Sequence, residues 1–461
     1  MRLLLINAVN TDSISETVFP NLGLGYIASY LSKFIKNIEI KIVNSNGKNI
    51  SGLLKLFSPD LIGVSSVSQN FNYVNSISNE CNRLGIPVFI GGIHISSLPQ
   101  SLPEGCDVGV IGEGEDTVVD LINSFTQHGF EKHTLHNIEG IVFRDDSGQI
   151  IMTPERKLID NLDELPFPNR DLLGVKKNSF LHLFSSRGCR YRCIFCSNSR
   201  FWKKIRLFSA EYVFDELKEV MAKYHPKAIT FYDDDFLTSK DRLNRLVLMI
   251  ENSGMNKETE FNLMARVDSI DEEIVLLLKK MNVTVVSLGI ESGSQKTLDF
   301  LKCGTSSVQK NMEAVELLHK TGIFTYGFFI IGAPNETEED VLETLDFINK
   351  SPLTGFSIYT LVPYPGTPIW DYAKERRLVS DSMPWSRLAL NINESKDDII
   401  ILSEKISRKR LYQLYWRFQK LRKRRHFVLM IKRAWNNPAL IMPRLARSAS
   451  HYLGCQNVNQ L

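Results

Sequence analysis

The sequence predicts an α/β protein with two successive parallel-sheet domains and a basic, helical C-terminal region. Short apolar runs alternate with helical stretches over roughly the first 125 residues, as in a doubly wound sheet. Six further strand and helix units follow at a spacing of about 30 to 50 residues, as in a parallel barrel. From residue 401 onward, fourteen Lys or Arg residues stand against one acid, Glu404, which marks this last region as separate.

Composition limits the class of protein before any motif is considered. The chain has 461 residues, of which 43% are hydrophobic and 23% charged, so a globular protein is predicted rather than a disordered or collagen-like one. No apolar run reaches the roughly 18 residues of a membrane span, and the start MRLLLINAV has no signal-peptide pattern. We therefore expect a cytoplasmic protein, with membrane association left open for the basic tail. Seven cysteines are too few for a disulfide framework.

The first domain is predicted from five strands and the helices between them. The apolar runs that indicate the strands are Leu3 to Ile6, Ile38 to Val43, Leu61 to Ser65, Val88 to Ile90 and Val108 to Ile111. Such a flavodoxin-like or Rossmann-like sheet binds its ligand beyond the carboxyl ends of its strands. Small and polar residues there let a bulky ligand approach the backbone. These residues are Ser65, Ser66, Ser68, Gly91, Gly92, His94, Gly112, Glu113, Gly114 and Glu115.

A linker and a second domain follow. Residues 136–177 contain a predicted hairpin around Asp145 to Gly148 and then the proline-rich LPFPNRDLL, which indicates a connection between domains. Residues 178–390 contain the six strand and helix units. We therefore predict a partial (β/α)6 TIM-like barrel whose active site lies at the carboxyl ends of its strands. The predicted barrel strands begin near Leu181, Ala228, Phe261, Thr284, Phe324 and Gly355.

Three cysteines supply the strongest chemical signal. Cys189, Cys193 and Cys196 lie in SSRGCRYRCIFCSNS, directly after the first barrel strand. Three thiolates on one short loop can hold three corners of a cubane iron–sulfur cluster and leave the fourth iron open for a ligand. A structural zinc site is the alternative, but it needs a fourth ligand. The nearest candidates for that ligand are His182 and Cys303.

The cysteine motif and several other segments resemble one enzyme superfamily. The spacing C-x3-C-x2-C, with the aromatic Phe195 directly before the last cysteine, resembles the signature of radical S-adenosylmethionine (SAM) enzymes. The segments FYDDDF, ARVD, LGIESGS, GFFIIGAPNET and PYPGTP are similar to the barrel of the cobalamin-binding branch of that superfamily. PNLGLGYIASYL, GGIHISSLP and VIGEGEDT resemble the B12-binding domain of the same branch. The resemblance assigns residues 1–135 to a cobalamin-binding domain and residues 178–390 to a radical SAM barrel, followed by a basic helical region over 391–461.

The resemblance implies roles for the charged residues at the barrel strand ends. The open iron of a [4Fe-4S] cluster chelates SAM, and one electron then releases a 5′-deoxyadenosyl radical; the cofactors supply this chemistry. The resemblance implies that the acidic run Asp233 to Asp235 accepts hydrogen bonds from the methionyl ammonium of SAM. It also implies that Arg266 binds the methionyl carboxylate and that Glu291 binds the ribose hydroxyls. The implied SAM-binding residues are Phe195, Asp233, Asp234, Asp235, Arg266 and Glu291. For each charged residue the alternative is a solvated loop charge or a structural ion pair. An electron donor such as flavodoxin or ferredoxin is expected as a partner.

The resemblance also implies cobalamin at the strand ends of the first domain. The residues assigned to it are Ser65, Ser68, Gly91, Gly92, His94, Gly112, Glu113 and Glu115. The motif D-x-H-x-x-G, which places a histidine on cobalt in other corrinoid proteins, is absent from the sequence, so no histidine ligand from this domain is expected. His94 either faces the corrin or is a loop histidine with satisfied hydrogen bonds. In the alternative, the domain has lost the corrinoid and only caps the barrel.

The basic tail has an apolar side. Apolar residues recur at helical spacing within residues 404–433, opposite a basic face; they are Leu411, Leu414, Tyr415, Phe418 and Leu421. Such a helix either lies on an anionic membrane surface or packs on the barrel with its basic face in solvent. The charge would also suit a nucleic-acid backbone, but no separate RNA-binding module is visible, so nucleic acid ranks last.

The preferred function is methylation of an unactivated carbon in a small or lipid-like substrate. In that scheme one SAM molecule methylates cobalt, and a second yields the radical that abstracts hydrogen from the substrate. One alternative is ring closure or rearrangement with the same cofactors and no methyl transfer. Another is a corrinoid-binding sensor or scaffold, against which the complete cysteine set argues. The sequence does not identify the substrate, because one architecture serves many substrates.

Overall fold

The computed structural model describes residues 1–392 and 399–436. Its first sheet has seven strands in the order β2-β1-β3-β4-β5-β6-β7. Five of them pair in parallel, which confirms the predicted doubly wound sheet, and the last two pair antiparallel. The strands are β1 (Arg2–Ala8), β2 (Glu39–Ser45), β3 (Leu61–Ser65), β4 (Val88–Gly91), β5 (Val108–Val110), β6 (Ile141–Arg144) and β7 (Ile150–Met152).

Helices cover both faces of this sheet because its strands are apolar on both faces. In β1, Leu3 and Leu5 pack with one group of helices and Leu4 and Ile6 with the other, as expected for a strand buried on both sides. Asn21 begins the first long helix by accepting a hydrogen bond from the Leu24 N–H. The helices are α1 (Ile14–Thr17), α2 (Leu22–Phe34), α3 (Ile50–Phe57), α4 (Phe71–Arg83), α5 (Ile93–Ser97), α6 (Glu115–His128) and α7 (Lys132–Leu135).

The hairpin predicted around Asp145 to Gly148 is confirmed, and it extends the first sheet. Its strand β6 pairs antiparallel with β5, with Phe143 opposite Val108 and Ile141 opposite Val110. Both hairpin residues are fully buried. Their apolar side chains therefore join the core of the first domain, although the sequence placed them in the connection between domains.

The second sheet has six parallel strands in the order β15-β14-β13-β12-β11-β8. This order leaves β8 and β15 at the two edges, which confirms the predicted partial barrel. The strands are β8 (Phe180–Leu183), β11 (Ala228–Phe231), β12 (Glu260–Ala265), β13 (Val283–Glu291), β14 (Phe324–Ile331) and β15 (Gly355–Thr360). Two short strands, β9 (Ser186–Arg187) and β10 (Arg206–Leu207), pair antiparallel beside the cysteine loop.

Helices follow the barrel strands and begin at side-chain caps. Ser209, Ser307 and Thr337 each accept a hydrogen bond from a backbone N–H of the first turn, which fixes where each helix begins. The helices are α8 (Asn198–Phe201), α9 (Ala210–Tyr224), α10 (Lys240–Ser253), α11 (Glu272–Lys280), α12 (Gln295–Lys302), α13 (Val308–Lys320), α14 (Glu338–Lys350), α15 (Pro368–Glu375) and α16 (Arg408–Asn436).

An apolar core crosses the boundary between the two domains. Residues that follow the last barrel strand return to the first domain. There Trp385 packs edge-on against Phe71, with 6.1 Å between ring centroids, and stacks on Trp370 at 6.0 Å. Helix α5, at the carboxyl edge of the first sheet, contacts α8, which follows the cysteine loop. The carboxyl ends of both sheets therefore lie on either side of that loop.

A buried charge cluster also joins the domains, and it contains two of the residues expected at the cobalamin site, Glu113 and Glu115. Arg187 donates to both carboxylates at 2.5 Å, and Arg206 donates to Glu113 at 2.7 and 3.1 Å. All four side chains are buried. Because a buried carboxylate needs a partner charge, these residues hold the first domain to the barrel. The contact of Glu113 and Glu115 with cobalamin remains a prediction.

The tail forms α16, and its apolar face packs against the barrel. Leu411, Leu414, Tyr415 and Phe418 are almost fully buried within the barrel core, and Leu421 packs against that core from its edge. Of the two helical alternatives, the structure confirms the packed one, since this face is covered. Within the described ranges, no helix is long and apolar enough to span a membrane. The parts of the predicted tail at 393–398 and 437–461 lie outside the described residues.

The charge cluster predicts a specific loss of stability. Replacing Glu113 by Gln leaves two buried guanidinium groups with fewer partner charges, so we expect the free energy of unfolding to fall by about 3 kcal/mol. Urea denaturation of the purified chain measures this. The matched control is Glu104→Gln on the exposed surface of the same domain, expected to change stability by less than about 0.5 kcal/mol. Equal effects of the two substitutions would contradict the structural role of the cluster.

Candidate active site

The three cysteines lie on one loop at the mouth of the barrel. Cys193 is buried, and Cys189 and Cys196 are half-buried. Backbone bonds hold the loop: the Ile194 N–H donates to the Leu301 carbonyl at 3.1 Å, and the Cys196 N–H donates to the Cys193 carbonyl at 3.2 Å. Burial raises the pKa of all three thiols, that of Cys196 to about 11. Metal binding must therefore displace a proton from each thiol.

The donor set fits an iron–sulfur cluster better than zinc. Among the described residues, no three His, Cys, Asp or Glu side chains converge closely enough to hold one metal ion. A cubane does not require such convergence, because each thiolate binds a different iron. Neither candidate fourth ligand joins the three thiols in such a group: the Cys303 Sγ is exposed and donates to the Arg192 carbonyl at 3.5 Å, and His182 is buried in β8.

A cavity of about 340 Å³ opens from the cysteine loop into the barrel. Its walls combine the three thiols, several charged groups and an apolar, aromatic surface. The lining residues are Cys189, Cys193, Phe195, Cys196, Asp234, Met264, Ala265, Arg266, Ser287, Gly289, Glu291, Lys302, Phe328, Ile330, Tyr359, Thr360, Leu361, Val362, Tyr364 and Leu390. Four of the six residues expected at the SAM site are therefore brought together: Phe195, Asp234, Arg266 and Glu291.

Arg266 connects the cavity to the cysteine loop. Its guanidinium donates to the Cys193 Sγ at 3.6 Å, to Asp268 at 2.9 Å and to the Thr305 hydroxyl at 3.2 Å. It also lies 3.5 Å from the centre of the Tyr191 ring. These contacts fix the orientation of the guanidinium, so one fixed cation faces the ligand space.

Glu291 and Lys302 also line the cavity, and sequence reasoning missed the lysine. Lys302 is 2% exposed, and its ammonium donates to the Gly289 carbonyl and interacts electrostatically with the Glu291 carboxylate. Glu291 ends β13 with φ +65°, a strained conformation for a residue with a side chain. Burial raises the pKa of Glu291, and Lys302 and Arg266 oppose that rise. A lysine in the last turn of a helix usually faces solvent, so no sequence signal indicated the burial of Lys302 at the end of α12.

The three aspartates of the acidic run have different environments. Asp233 points away from the cavity and accepts hydrogen bonds from the Ser185 N–H and hydroxyl at 3.0 Å and from the Ser186 hydroxyl. Asp234 lines the cavity and accepts a bond from Asn198 at 2.9 Å. Asp235 is buried with neither oxygen hydrogen-bonded, and Arg190 lies 3.8 Å away. Asp234 is therefore the aspartate of this run that lines the cavity, whereas Asp233 is held by protein donors, and a SAM-binding role of Asp233 remains a prediction.

The carboxyl edge of the first sheet has the open, small residues that a corrin requires. Gly112 has φ +76°, and no atom lies within 4 Å of where its Cβ would be. Gly92 has φ +105°, and a Cβ there would lie 2.6 Å from the Ser66 carbonyl oxygen, so only glycine fits. Val18 and Val67, in the loops after β1 and β3, are exposed. This edge, with Ser65 and Gly91 at its strand ends, therefore fits a flat, largely apolar macrocycle.

His94 and Ser68 form a hydrogen bond with each other. The His94 Nδ1 lies 3.0 Å from the Ser68 hydroxyl and the Nε2 lies 3.1 Å from the Ser101 hydroxyl. The ring is 1% exposed between Phe71 and Trp385, and burial lowers the pKa of His94 to about 3. Both nitrogens of the ring are therefore satisfied within the protein, which matches the second of the two environments expected for His94. The contacts of His94 and Ser68 with cobalamin remain a prediction.

Iron content distinguishes the three loop thiols from the fourth nearby cysteine. We expect anaerobically reconstituted wild-type protein to hold about four irons and four sulfides per chain. Cys193→Ala removes one corner of the ligand set, so most of the iron should be lost. Cys303→Ala is the matched control and should retain all of it. Loss of metal from Cys303→Ala, or zinc in place of iron in the wild type, would contradict this assignment.

The different environments of Asp233 and Asp234 predict opposite phenotypes. Asp234→Asn should raise the Kd for SAM about tenfold, because a charged hydrogen bond in the cavity is lost, and should leave the melting temperature unchanged. Asp233→Asn should lower the melting temperature by several degrees, because the Ser185 and Ser186 donors lose a carboxylate. Equilibrium dialysis of SAM with cluster-loaded protein, and thermal unfolding, measure the two effects. Equal changes in both variants would contradict the two assignments.

Comparison with known proteins agrees with this geometry. The family model "B12 binding domain" matches residues 14–122, and the model "Radical SAM superfamily" matches residues 183–348. Solved structures of similar fold include the radical SAM methyltransferase TsrM from Kitasatospora setae, with a TM-score of 0.68 and 18% identity over 86% of this chain and 82% of that chain. The cobalamin-dependent radical SAM enzyme OxsB also has a TM-score of 0.68, with 19% identity over 97% of this chain and 75% of that chain.

A relative in sequence extends the comparison over both domains. Uncharacterized methyltransferase PH0819 of Pyrococcus horikoshii is 31% identical over 406 residues, which cover 84% of this chain and 86% of the relative. These similar proteins are named as enzymes, so the sensor alternative receives no support. The chain thus belongs to the radical SAM superfamily of enzymes that use a [4Fe-4S] cluster and SAM, in the branch with a cobalamin-binding domain before the barrel.

Proposed function

We propose that this enzyme transfers a methyl group to an unactivated carbon of a small or lipid-like substrate. The observation that carries the proposal is the position of the carboxyl end of the first sheet relative to the carboxyl end of the barrel sheet. The carboxyl ends of both sheets lie on either side of one cysteine loop, through the contact of α5 with α8. At Gly366 in the PYPGTP loop, a Cβ would lie 3.2 Å from that of Ser97. A group carried at the first edge is therefore close to the barrel cavity.

The residues of the cavity have separate roles in this proposal. When bound, the cluster supplies the electron that cleaves SAM, and cobalamin carries the methyl group. Asp234 accepts hydrogen bonds from the methionyl ammonium, and Arg266 meets its carboxylate. Lys302 provides a second cation beside Glu291, so the zwitterionic end of SAM meets groups of both signs in a buried site. Charge-assisted bonds of this kind are strong and directional, and they orient the bond to be cleaved.

The remaining wall of the cavity indicates the substrate class. Phe328, Ile330 and Tyr359 contribute apolar and aromatic surface to the cavity that the thiols also line, and Tyr364 adds a ring from the PYPGTP loop. Such a wall excludes water from a reactive intermediate and binds a substrate mainly through apolar contact. This supports a small or lipid-like substrate.

We also propose an acidic electron carrier, such as flavodoxin or ferredoxin, as the partner. The segment from Arg187 to Arg206 contains seven Lys or Arg residues and no acid. Arg190, Arg192, Lys203 and Lys204 are exposed on it. Lys203 pairs with Glu155 and Lys204 with Asp160, whereas Arg190 and Arg192 lie between the cysteines themselves. Complementary charge increases the rate of encounter between proteins, so this surface suits an acidic carrier.

Product stoichiometry tests the proposed methyl transfer. The protein is reconstituted anaerobically with hydroxocobalamin and given a reductant and SAM labelled in its methyl group. Methyl transfer predicts about one cobalt per chain and formation of S-adenosylhomocysteine together with 5′-deoxyadenosine. The control is Cys193→Ala, which should form no 5′-deoxyadenosine. Formation of 5′-deoxyadenosine alone, with cobalt bound, would favour the alternative of ring closure or rearrangement; absence of cobalt would remove the methylation proposal.

A further inference from the structure

Helix α16 has an exposed face that the barrel does not use. The apolar residues of this helix are buried. On the opposite side, Trp416 is half-buried, and four residues are exposed: Lys420, Lys423, Arg424 and Phe427. These positions recur at i, i+4, i+7, i+8 and i+11, so they form one stripe along the helix. The stripe therefore combines three cations with two large aromatic rings.

The aromatic members of the stripe are unusually exposed. Phe427 is 62% exposed and Tyr412, one turn before Trp416, is 40% exposed. The rings of Tyr412 and Trp416 lie 6.2 Å apart, and the Lys423 ammonium lies 5.9 Å from the centre of the Trp416 ring. Large apolar rings beside cations on an open surface are typical of protein regions at the membrane–water interface.

The cations of the stripe lack acidic partners in the part of the chain that the structure describes. Glu338 faces this helix, but it pairs with Arg410 and lies near Arg417. No carboxylate among the described residues is within ion-pair distance of Lys420, Lys423 or Arg424. These charges are therefore available for an anionic partner.

A groove opens along the same helix at the amino-terminal end of the barrel strands. It has a volume of about 620 Å³ and is lined by Arg424, Leu421, His319 and Phe324, among others. Phe324 is 41% exposed. The neighbouring Arg425 is occupied, since it donates to the Leu353 carbonyl at 2.8 Å. The groove thus offers one available guanidinium beside apolar walls, which suits a phosphate group attached to an apolar chain.

We propose that the exposed stripe of α16 and this groove bind an anionic phospholipid surface, with lipid phosphates at Lys420, Lys423 and Arg424. We favour lipid over nucleic acid because the groove places the Arg424 guanidinium beside apolar walls, which suits a phosphate group attached to an apolar chain. This surface lies at the amino-terminal end of the barrel strands, whereas the cysteine loop lies at their carboxyl ends. Membrane contact therefore leaves the mouth of the cavity open, and the proposal does not depend on methyl transfer.

Vesicle sedimentation with the full chain tests the proposal. The probes are vesicles of phosphatidylcholine alone and of phosphatidylcholine mixed with phosphatidylglycerol. Wild-type protein is expected to bind the mixed vesicles and to be released by salt. The variant Lys420→Gln/Lys423→Gln/Arg424→Gln should bind about a hundredfold more weakly, because each cation near an anionic surface contributes about fivefold.

A charge-matched variant separates the stripe from net charge. Lys36→Gln/Lys55→Gln/Lys310→Gln removes three exposed lysines elsewhere and should bind the mixed vesicles like the wild type. Phe427→Ser should weaken binding while the salt dependence remains. Circular dichroism confirms that each variant is folded, and reductive cleavage of SAM without vesicles should be unchanged in all of them.

Three results would overturn the proposal. The first is absence of wild-type binding to the mixed vesicles. The second is equal weakening in the charge-matched variant, which would indicate a non-specific effect of net charge. The third is that a low concentration of single-stranded RNA displaces the protein from vesicles, and that the variant Lys420→Gln/Lys423→Gln/Arg424→Gln binds neither vesicles nor RNA. That result would assign the stripe to nucleic acid.

Discussion

The arrangement of the two domains depends on one buried cation. Arg187 lies two residues before Cys189 and donates to Glu113 and Glu115 of the first domain, while its guanidinium lies 5.4 Å from the centre of the Tyr26 ring and 5.3 Å from that of Trp202. Burying these charges is costly unless every partner is in place. The same contacts that satisfy Arg187 therefore fix the cysteine loop relative to the first sheet, which sets the relation between the two ligand edges.

The cavity in the barrel also contains buried charges of both signs. Arg266, Lys302, Glu291 and Asp234 line a space of about 340 Å³ beside the thiols. In such surroundings each charge is poorly solvated, so a zwitterionic ligand that meets both signs is stabilised more than in water. The strained backbone at Glu291 keeps that carboxylate beside the Lys302 ammonium. Strain of this kind is retained where the surrounding structure over-determines it, often at functional sites.

The two faces of helix α16 have different surroundings: one is buried in the barrel core and the other is exposed. Its apolar face completes the barrel core through Leu411, Leu414, Tyr415 and Phe418, and this burial accounts for the helical spacing seen in the sequence. The basic face remains outside, where it carries no apolar core contact. A terminal helix can in this way stabilise the barrel and still present a charged surface at the end of the barrel opposite the cysteines.

The sequence by itself determined the fold class, the cysteine motif and the family resemblance, because periodicity and short motifs are local properties of the chain. Cys189, Cys193 and Cys196 were evident from spacing, and the six barrel strands from apolar runs. Only the tertiary structure decided which strand-end side chains are paired with other groups of the protein and which line the cavity. Arg187 pairs with Glu113 and Glu115, and Arg206 pairs with Glu113. His94 contacts Ser68 and Ser101, and Asp233 accepts from Ser185. All of these partners except Ser101 are distant in the chain from the residues that they satisfy. The burial of Lys302 beside Glu291 likewise depends on how α12 packs, which no local pattern encodes.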